Sequence, residues 1–289
     1  MTSSSPPPTG SRPRPKYSPV QVRRRQVAAG GCLLLVILLV VVSCTALLGR
    51  DGKGGSDAGR GGGSGDAELA VSETPSDAPA LSQLPGKGTL GQEENLGIDV
   101  SAHQEEIDWE KVRGDGVGFA YIKATEGAGY TDPRLNANWR GARQNGVTPG
   151  AYHYFTLCSP GAEQAEEFLR AVPPSDDALP PALDLEFDGA CENRPEVKEA
   201  DAQVDAFLEK VEEAWGRPVL LYSSVDWRNH YGLGATEDRP DWLFQDGKRP
   251  AQGDWALWQV RFDGSVAGID GDVDIDVLRL DVLQASGAE

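Results

Sequence analysis

The chain predicts an irregular, TIM-like β/α barrel preceded by a transmembrane segment and a disordered linker. Three observations carry that fold class. From residue 96 onward, short β-branched or aromatic runs alternate with stretches of helical period, the pattern of strands lying parallel with helices between them. Strand after strand ends in polar or aromatic groups, as expected where strand ends converge on one barrel face. No Gly-rich loop follows the first strand (Asp99-Val-Ser-Ala-His-Gln104), so an open dinucleotide-binding sheet is disfavoured.

The N-terminal quarter is of a different kind. Residues 1–26 hold six basic residues, no acid and many Ser and Pro, and read as a cytoplasmic tail. Residues 27–48 carry no charge. As a helix they would extend about 33 Å, enough to cross a bilayer core of roughly 30 Å. The arginines precede this segment and acids follow it, so the rest of the chain is expected outside the cell membrane. Val41-Val-Ser-Cys44 also fits a lipobox, which would anchor the chain by a lipid on Cys44 instead. Residues 49–95, rich in Gly and then in Ala, Ser, Pro and Glu, read as linker. The remainder, 96–284, is one domain.

Its elements follow in order. Leu96–Val100 and Val117–Ala124 are strands. Asp132–Asn145 is a helix with Leu135, Trp139 and Ala142 on one face, stopped at Gly146. Pro149–Phe155 is a strand, followed by a helix from Pro160 that aligns Ala165, Phe168 and Val172. Pro181–Phe187 is a strand, and Glu199–Trp215 is a helix with Val204, Phe207, Leu208, Val211 and Trp215 inward. Pro218–Ser223 and Ala256–Val260 complete the readable strands, with a further strand end at Asp272-Val-Asp274. About seven strands are legible.

Charge and composition exclude several functions. From residue 91 the chain has 39 acids against 17 Lys and Arg, which disfavours nucleic acid as a partner. The histidines lack metal-ligand spacing, and His103 and His153 read as hydrogen-bonded structural residues. There is no Gly-x-Ser-x-Gly elbow and no phosphate-binding loop, so no metal and no cofactor is expected. Asp270-Gly-Asp-Val-Asp-Ile-Asp276 resembles a calcium ladder but lacks its glycine and its closing glutamate. Cys158 and Cys191, in an exported domain, read as a disulfide.

Carboxylates among aromatics remain. In Ala182-Leu-Asp-Leu-Glu-Phe187 the two-residue period puts Asp184 and Glu186 on one face and the aliphatic residues on the other. Two acids so close raise one pKa, leaving an acid and an anion side by side. Glycoside hydrolysis needs that pair. Tyr121, Tyr152, Tyr154, Tyr222 and Trp258 are candidate flat surfaces for sugar rings.

Seven stretches, in order, resemble the family 25 glycoside hydrolases, lysozymes that cut peptidoglycan. They are Gly97-Ile-Asp-Val-Ser101 with Gln104, Ile107-Asp-Trp109, Phe119–Gly127, Gly150–Phe155, Pro181–Glu186, Pro218–Ser224, and Trp258-Gln259 with Gly268–Asp274. The resemblance implies hydrolysis of the β-1,4 bond between N-acetylmuramic acid and N-acetylglucosamine in the peptidoglycan glycan strands, by a monomeric domain without metal. It implies that Glu186 is the general acid and that Asp184 polarises the substrate's 2-acetamido group for internal attack with retention. Asp99 and Asp274 match two further acids, and Glu126 a supporting one; Lys123 and Gln259 lie within the matching stretches as substrate-binding candidates. Where the family ends its last motif in Val-Asp-x-Asn-x-Phe, this chain has Val273-Asp-Ile-Asp-Val-Leu278. Competing readings are a related N-acetylhexosaminidase of chitinase type, whose longer Asp-x-x-Asp-x-Asp-x-Glu run is missing, and a catalytically silent wall-binding module. The presence of all four acids argues against the second of these.

Overall fold

The computed structural model describes residues 71–86, 88–187, 191–232, 239–251, 253 and 255–287. The basic tail 1–26, the apolar segment 27–48 with Cys44, and the linker through residue 70 lie outside the described residues.

Strand β1 (Glu94–Val100) leads through helix α1 (Trp109–Gly114) to β2 (Phe119–Glu126), on which the two-residue β3 (Tyr130–Thr131) folds back. Then come α2 (Leu135–Gln144), β4 (Thr148–Tyr154), α3 (Gly161–Ala171), β5 (Ala182–Leu185) and α4 (Val197–Trp215). The chain continues through β6 (Leu220–Ser223), α5 (Val225–Tyr231), β7 (Asp241–Phe244), β8 (Trp255–Gly264), β9 (Val273–Arg279) and α6 (Leu280–Ala285). The sheet order is β1-β9-β8-β7-β6-β5-β4-β2-β3, and a β1–β2 pairing closes all but β3 into a barrel. Strand β7 and the two-residue β3 are the additions to those legible in sequence. Strand β9 runs antiparallel to both its neighbours, which corrects the expectation of a wholly parallel sheet. Only residues 265–272 join β8 to β9; a connection that short, with no helix, can return only in the opposite sense.

The two-residue period sorts every strand into inner and outer faces. Phe119, Tyr121, Ala182, Leu220, Trp242, Leu257 and Leu278 form one buried cluster inside the barrel. Ile98, Ile122, Leu183, Leu185 and Leu221 belong to the other, packed with Phe168 of α3 and Val204, Phe207, Leu208 and Val211 of α4. Tyr121 of β2 meets Trp242 of β7 at 5.0 Å between ring centroids, and those strands are not neighbours, so the contact spans the interior. Two glycines make room for these rings. A Cβ at Gly97 would stand 2.2 Å from the Phe119 ring, and one at Gly150 2.6 Å from Tyr121.

The linker expectation fails from Val71 onward. Ala80, Leu81 and Leu84, in and just after the 3-10 turn Pro79–Gln83, are buried in the outer core. The backbone N–H of Leu96 donates to Thr74 Oγ1 at 2.9 Å, and Arg113 Nη2 donates to the Glu73 carbonyl at 3.2 Å. Composition misled because few apolar residues suffice when the barrel offers them a surface. Burying Val71, Leu81 and Leu84 is worth about 1.5–3 kcal/mol each, of which ordering the strap takes much back. A chain beginning at residue 91 is therefore expected to lose about 2 kcal/mol against one beginning at residue 64, read as a lower urea midpoint at unchanged fold. Equal midpoints would mean the strap adds nothing.

Candidate active site

At the C-terminal ends of the parallel strands the inner face turns from apolar to acidic. On β1, Ile98 and Val100 pack outward while Asp99 points in. On β5, Leu183 and Leu185 pack outward, which leaves Asp184 inside and Glu186 just past the strand end on the same alternation. Because β9 is antiparallel, its first residues lie at this same mouth, and Asp274 pairs with Asp99 in register. Gln259 of β8 ties these acids together: its Nε2–H₂ donates to Asp99 Oδ2 at 2.7 Å and to Asp274 Oδ2 at 3.4 Å.

A second group stands on β2 and β4. The register slips between Lys123 and Thr125, and Lys123 Nζ donates to Glu126 Oε2 at 2.6 Å. The same ammonium lies 4.8 Å from the Tyr154 ring centroid. Tyr152 and Tyr222 lie among the acids: burial and then Asp99, Asp184 and Asp274 raise the resistance of both hydroxyls to ionisation, with Glu186 adding to it at Tyr222. Asp99, Lys123, Glu126, Tyr152, Tyr154, Asp184, Glu186, Tyr222, Gln259 and Asp274 thus share one end of the barrel. A small cleft opens beside Glu186, with Tyr154, Phe187, Arg194 and Trp227 among its walls.

Burial dominates the electrostatics. It pushes Asp99 up to about 6, opposed by the hydrogen bond from Gln259 and by the neighbouring Asp274 and Asp276 side chains. Asp184 is raised well above the usual carboxylate range, first by burial and then by the charge of Glu186, with Lys123 pulling the other way. Its Oδ1 is buried without a hydrogen-bond partner. Sequence reasoning gave the protonated role to Glu186; in the substrate-free protein Asp184 also favours its protonated form, through burial and the charge of Glu186. The acids interact closely enough that their titration belongs to the pair.

Two aromatic candidates sit elsewhere. Tyr121 is fully buried among Phe119 and Trp242, and its hydroxyl donates to the Pro180 carbonyl at 3.1 Å. Trp258 is also fully buried, in the outer core, donating its Nε1–H to the Gln245 carbonyl at 2.9 Å. Neither offers a ring face to a sugar. The interior aromatic that sequence reasoning missed is Trp242, which packs against Tyr121, Tyr152 and Tyr222. His153 is structural, as its surroundings in sequence implied. Thr125 Oγ1 lies 2.7 Å from its Nδ1 and Gln164 Oε1 lies 3.0 Å from its Nε2, and burial lowers its pKa to about 4, keeping it neutral.

Cys158 and Cys191 form the expected disulfide, with Cα atoms 5.8 Å apart and a separation of 33 positions in sequence. It joins the segments after β4 and β5, beside the cleft at Glu186. Closing a loop of that length restricts the unfolded chain, and replacing both cysteines by Ser is expected to cost about 3 kcal/mol. Chemical denaturation of the double variant against the oxidised protein measures it; an unchanged midpoint would remove the disulfide from the stability account.

Comparison with known proteins adds three kinds of likeness. The model of the glycosyl hydrolases family 25 matches residues 98–269. Lysozyme M1 of Streptomyces globisporus is 32% identical over 207 residues, covering 66% of this chain and 70% of that protein. Among solved structures, a family 25 glycosyl hydrolase from Bacillus anthracis superposes with a TM-score of 0.60 at 31% identity, covering 66% of this chain and 91% of the other. The lysozyme from Streptomyces coelicolor superposes with a TM-score of 0.59 at 29% identity, over 68% and 100%.

Proposed function

The chain belongs to the glycosyl hydrolases family 25, and on that premise we propose how its ring of acids cuts peptidoglycan. It is a glycoside hydrolase, a lysozyme acting on the β-1,4 bond between N-acetylmuramic acid and N-acetylglucosamine. The observation that carries the reading is the placing of Asp184 and Glu186 at one barrel mouth, facing the pair Asp99 and Asp274 held on Gln259.

Glu186 donates a proton to the glycosidic oxygen, so the bond from that oxygen to C1 of the muramic acid breaks. The carbonyl oxygen of the sugar's own 2-acetamido group closes on C1, and Asp184 accepts its N–H. A donor on Asp184 favours the ionised form, so a bound sugar leaves the shared proton with Glu186, where it is needed. Water then attacks C1 as the bond from C1 to the acetamido oxygen breaks, Glu186 takes the water's proton, and two inversions leave the configuration at C1 retained. Asp99 and Asp274 supply fixed negative charge as the positive oxocarbenium develops. Tyr152, Tyr154 and Tyr222, with Lys123 and Glu126, shape the binding surface. Residues 27–48 tether the enzyme to the outer face of the cell membrane, as a signal anchor or through a lipid on Cys44, and the catalytic domain acts as a monomer.

Digestion of purified peptidoglycan by the full chain, with the new reducing ends identified, tests the bond. Muramic acid ends are expected. N-acetylglucosamine ends would point to the related hexosaminidase reaction, and no release at all to a silent wall-binding module.

A further inference from the structure

Asp276 lies on β9 two residues deeper in the barrel than Asp274, opposite Gly97 of β1 and Gln259 of β8 in register. It is fully buried, and neither carboxyl oxygen reaches complete hydrogen-bond geometry with a described residue. Two more buried polar atoms of the interior share that condition, the Trp242 Nε1–H and Gln259 Oε1. A buried carboxylate with no partner is costly enough that such a group takes up a proton instead.

The neighbours show where that proton points. Titratable groups face Asp276 from two other strands, Asp99 on β1 and Tyr121 on β2, and Asp274 precedes it on the same face of β9, while Trp242 of β7 and Gln259 of β8 are polar and uncharged. The Asp99 and Asp276 side chains bias one another in opposite directions. Beyond burial, their proximity favours the neutral form of Asp276 and the ionised form of Asp99, while the unpartnered Trp242 N–H lies close enough to oppose the rise at Asp276.

We propose that Asp276 is a positioning residue for Asp99: its carboxyl group bridges the Trp242 indole N–H and the Asp99 carboxylate, and as donor to Asp99 holds that group ionised and aimed at the mouth. The inference rests on Asp99 being an anion that the glycosidase reaction requires. Asp276 itself touches no substrate; it acts through Asp99.

The pH dependence of kcat/KM on peptidoglycan separates this role from simple packing. Asp276→Leu removes the donor, so the acid limb is expected to move to higher pH by about one unit. Asp276→Asn keeps an N–H at the same place, and its acid limb is expected to stay with the wild type. A packing role would lower kcat/KM at all pH values and move neither limb. An unmoved limb in Asp276→Leu overturns the proposal, and so does one moved to lower pH, which would put the proton on Asp99. A second measurement needs neither turnover nor a folded Leu variant. The infrared difference spectrum between wild type and Asp276→Asn at neutral pH should show a protonated carboxyl stretch in the wild type; its absence overturns the proposal. Because that spectrum is independent of activity, it stands or falls apart from the glycosidase reading.

Discussion

Glu186→Gln is expected to lower kcat/KM on peptidoglycan by about 10²–10⁴-fold, the usual contribution of a positioned proton donor. Gln is nearly isosteric with Glu, and residue 186 lies past the end of β5 at a partly exposed position, so thermal stability should hardly change. The variant can bind but cannot protonate the leaving oxygen. A chemical rescue distinguishes this from lost binding. With an aryl glycoside whose phenol leaves without protonation, Glu186→Gln should recover most of its rate in the bond-breaking step. Asp184→Asn should not, because its proposed task is to accept the acetamido N–H. If Glu186→Gln keeps activity within tenfold of wild type, or if both variants are rescued alike, the division of roles between the acids is wrong.

Asp99→Asn is expected to lose activity by at least about 100-fold while gaining stability. Burial raises the Asp99 pKa in the folded protein to about 6 from 3.8. The folded state therefore holds this proton more tightly than the unfolded chain, and stability falls as pH rises from about 4 to about 6 before levelling off. At pH 7 the ionised carboxylate costs up to about 3 kcal/mol. Asn carries no charge and its carbonyl can still accept from Gln259, so the variant escapes that cost. Its advantage should be greatest above pH 6 and fade below about pH 4, where Asp99 is protonated in both states. Urea midpoints of the two proteins at pH 3.5, 5 and 7 measure this. A variant less stable than wild type at pH 7, or one whose gain persists at pH 3.5, would show that burial of charge is not what sets the local energetics.

Much of the site was legible because alternation along a strand is a local property. Once Ala182–Phe187 is read as a strand, Leu183 and Leu185 must face one way and Asp184 and Glu186 the other. The same rule could have removed one error. Trp258 and Gln259 are adjacent, so they cannot both face the mouth, and it is Gln259 that points in. Tyr121 is a subtler case. It shares the inner face with Lys123 but lies two residues deeper, and depth depends on where the barrel closes around it. Strand β7 was hidden because it is four residues long and flanked by polar segments. The 71–95 strap was hidden because Ala, Ser and Pro carry little signal of their own.

The sequence by itself determined most of the strands, the three longest helices and the shared face of Asp184 and Glu186, because periods of 2 and 3.6 are written in neighbouring residues. Only the tertiary structure decided which further acids are pressed toward their protonated forms. Glu186 and Asp184 look equivalent along the chain, and Asp276 looks like one more acid of a polar run. Burial raises Asp184 and Asp276 alike, and it arises only when strands distant in sequence, β9 beside β1 among them, close the barrel around these carboxyl groups.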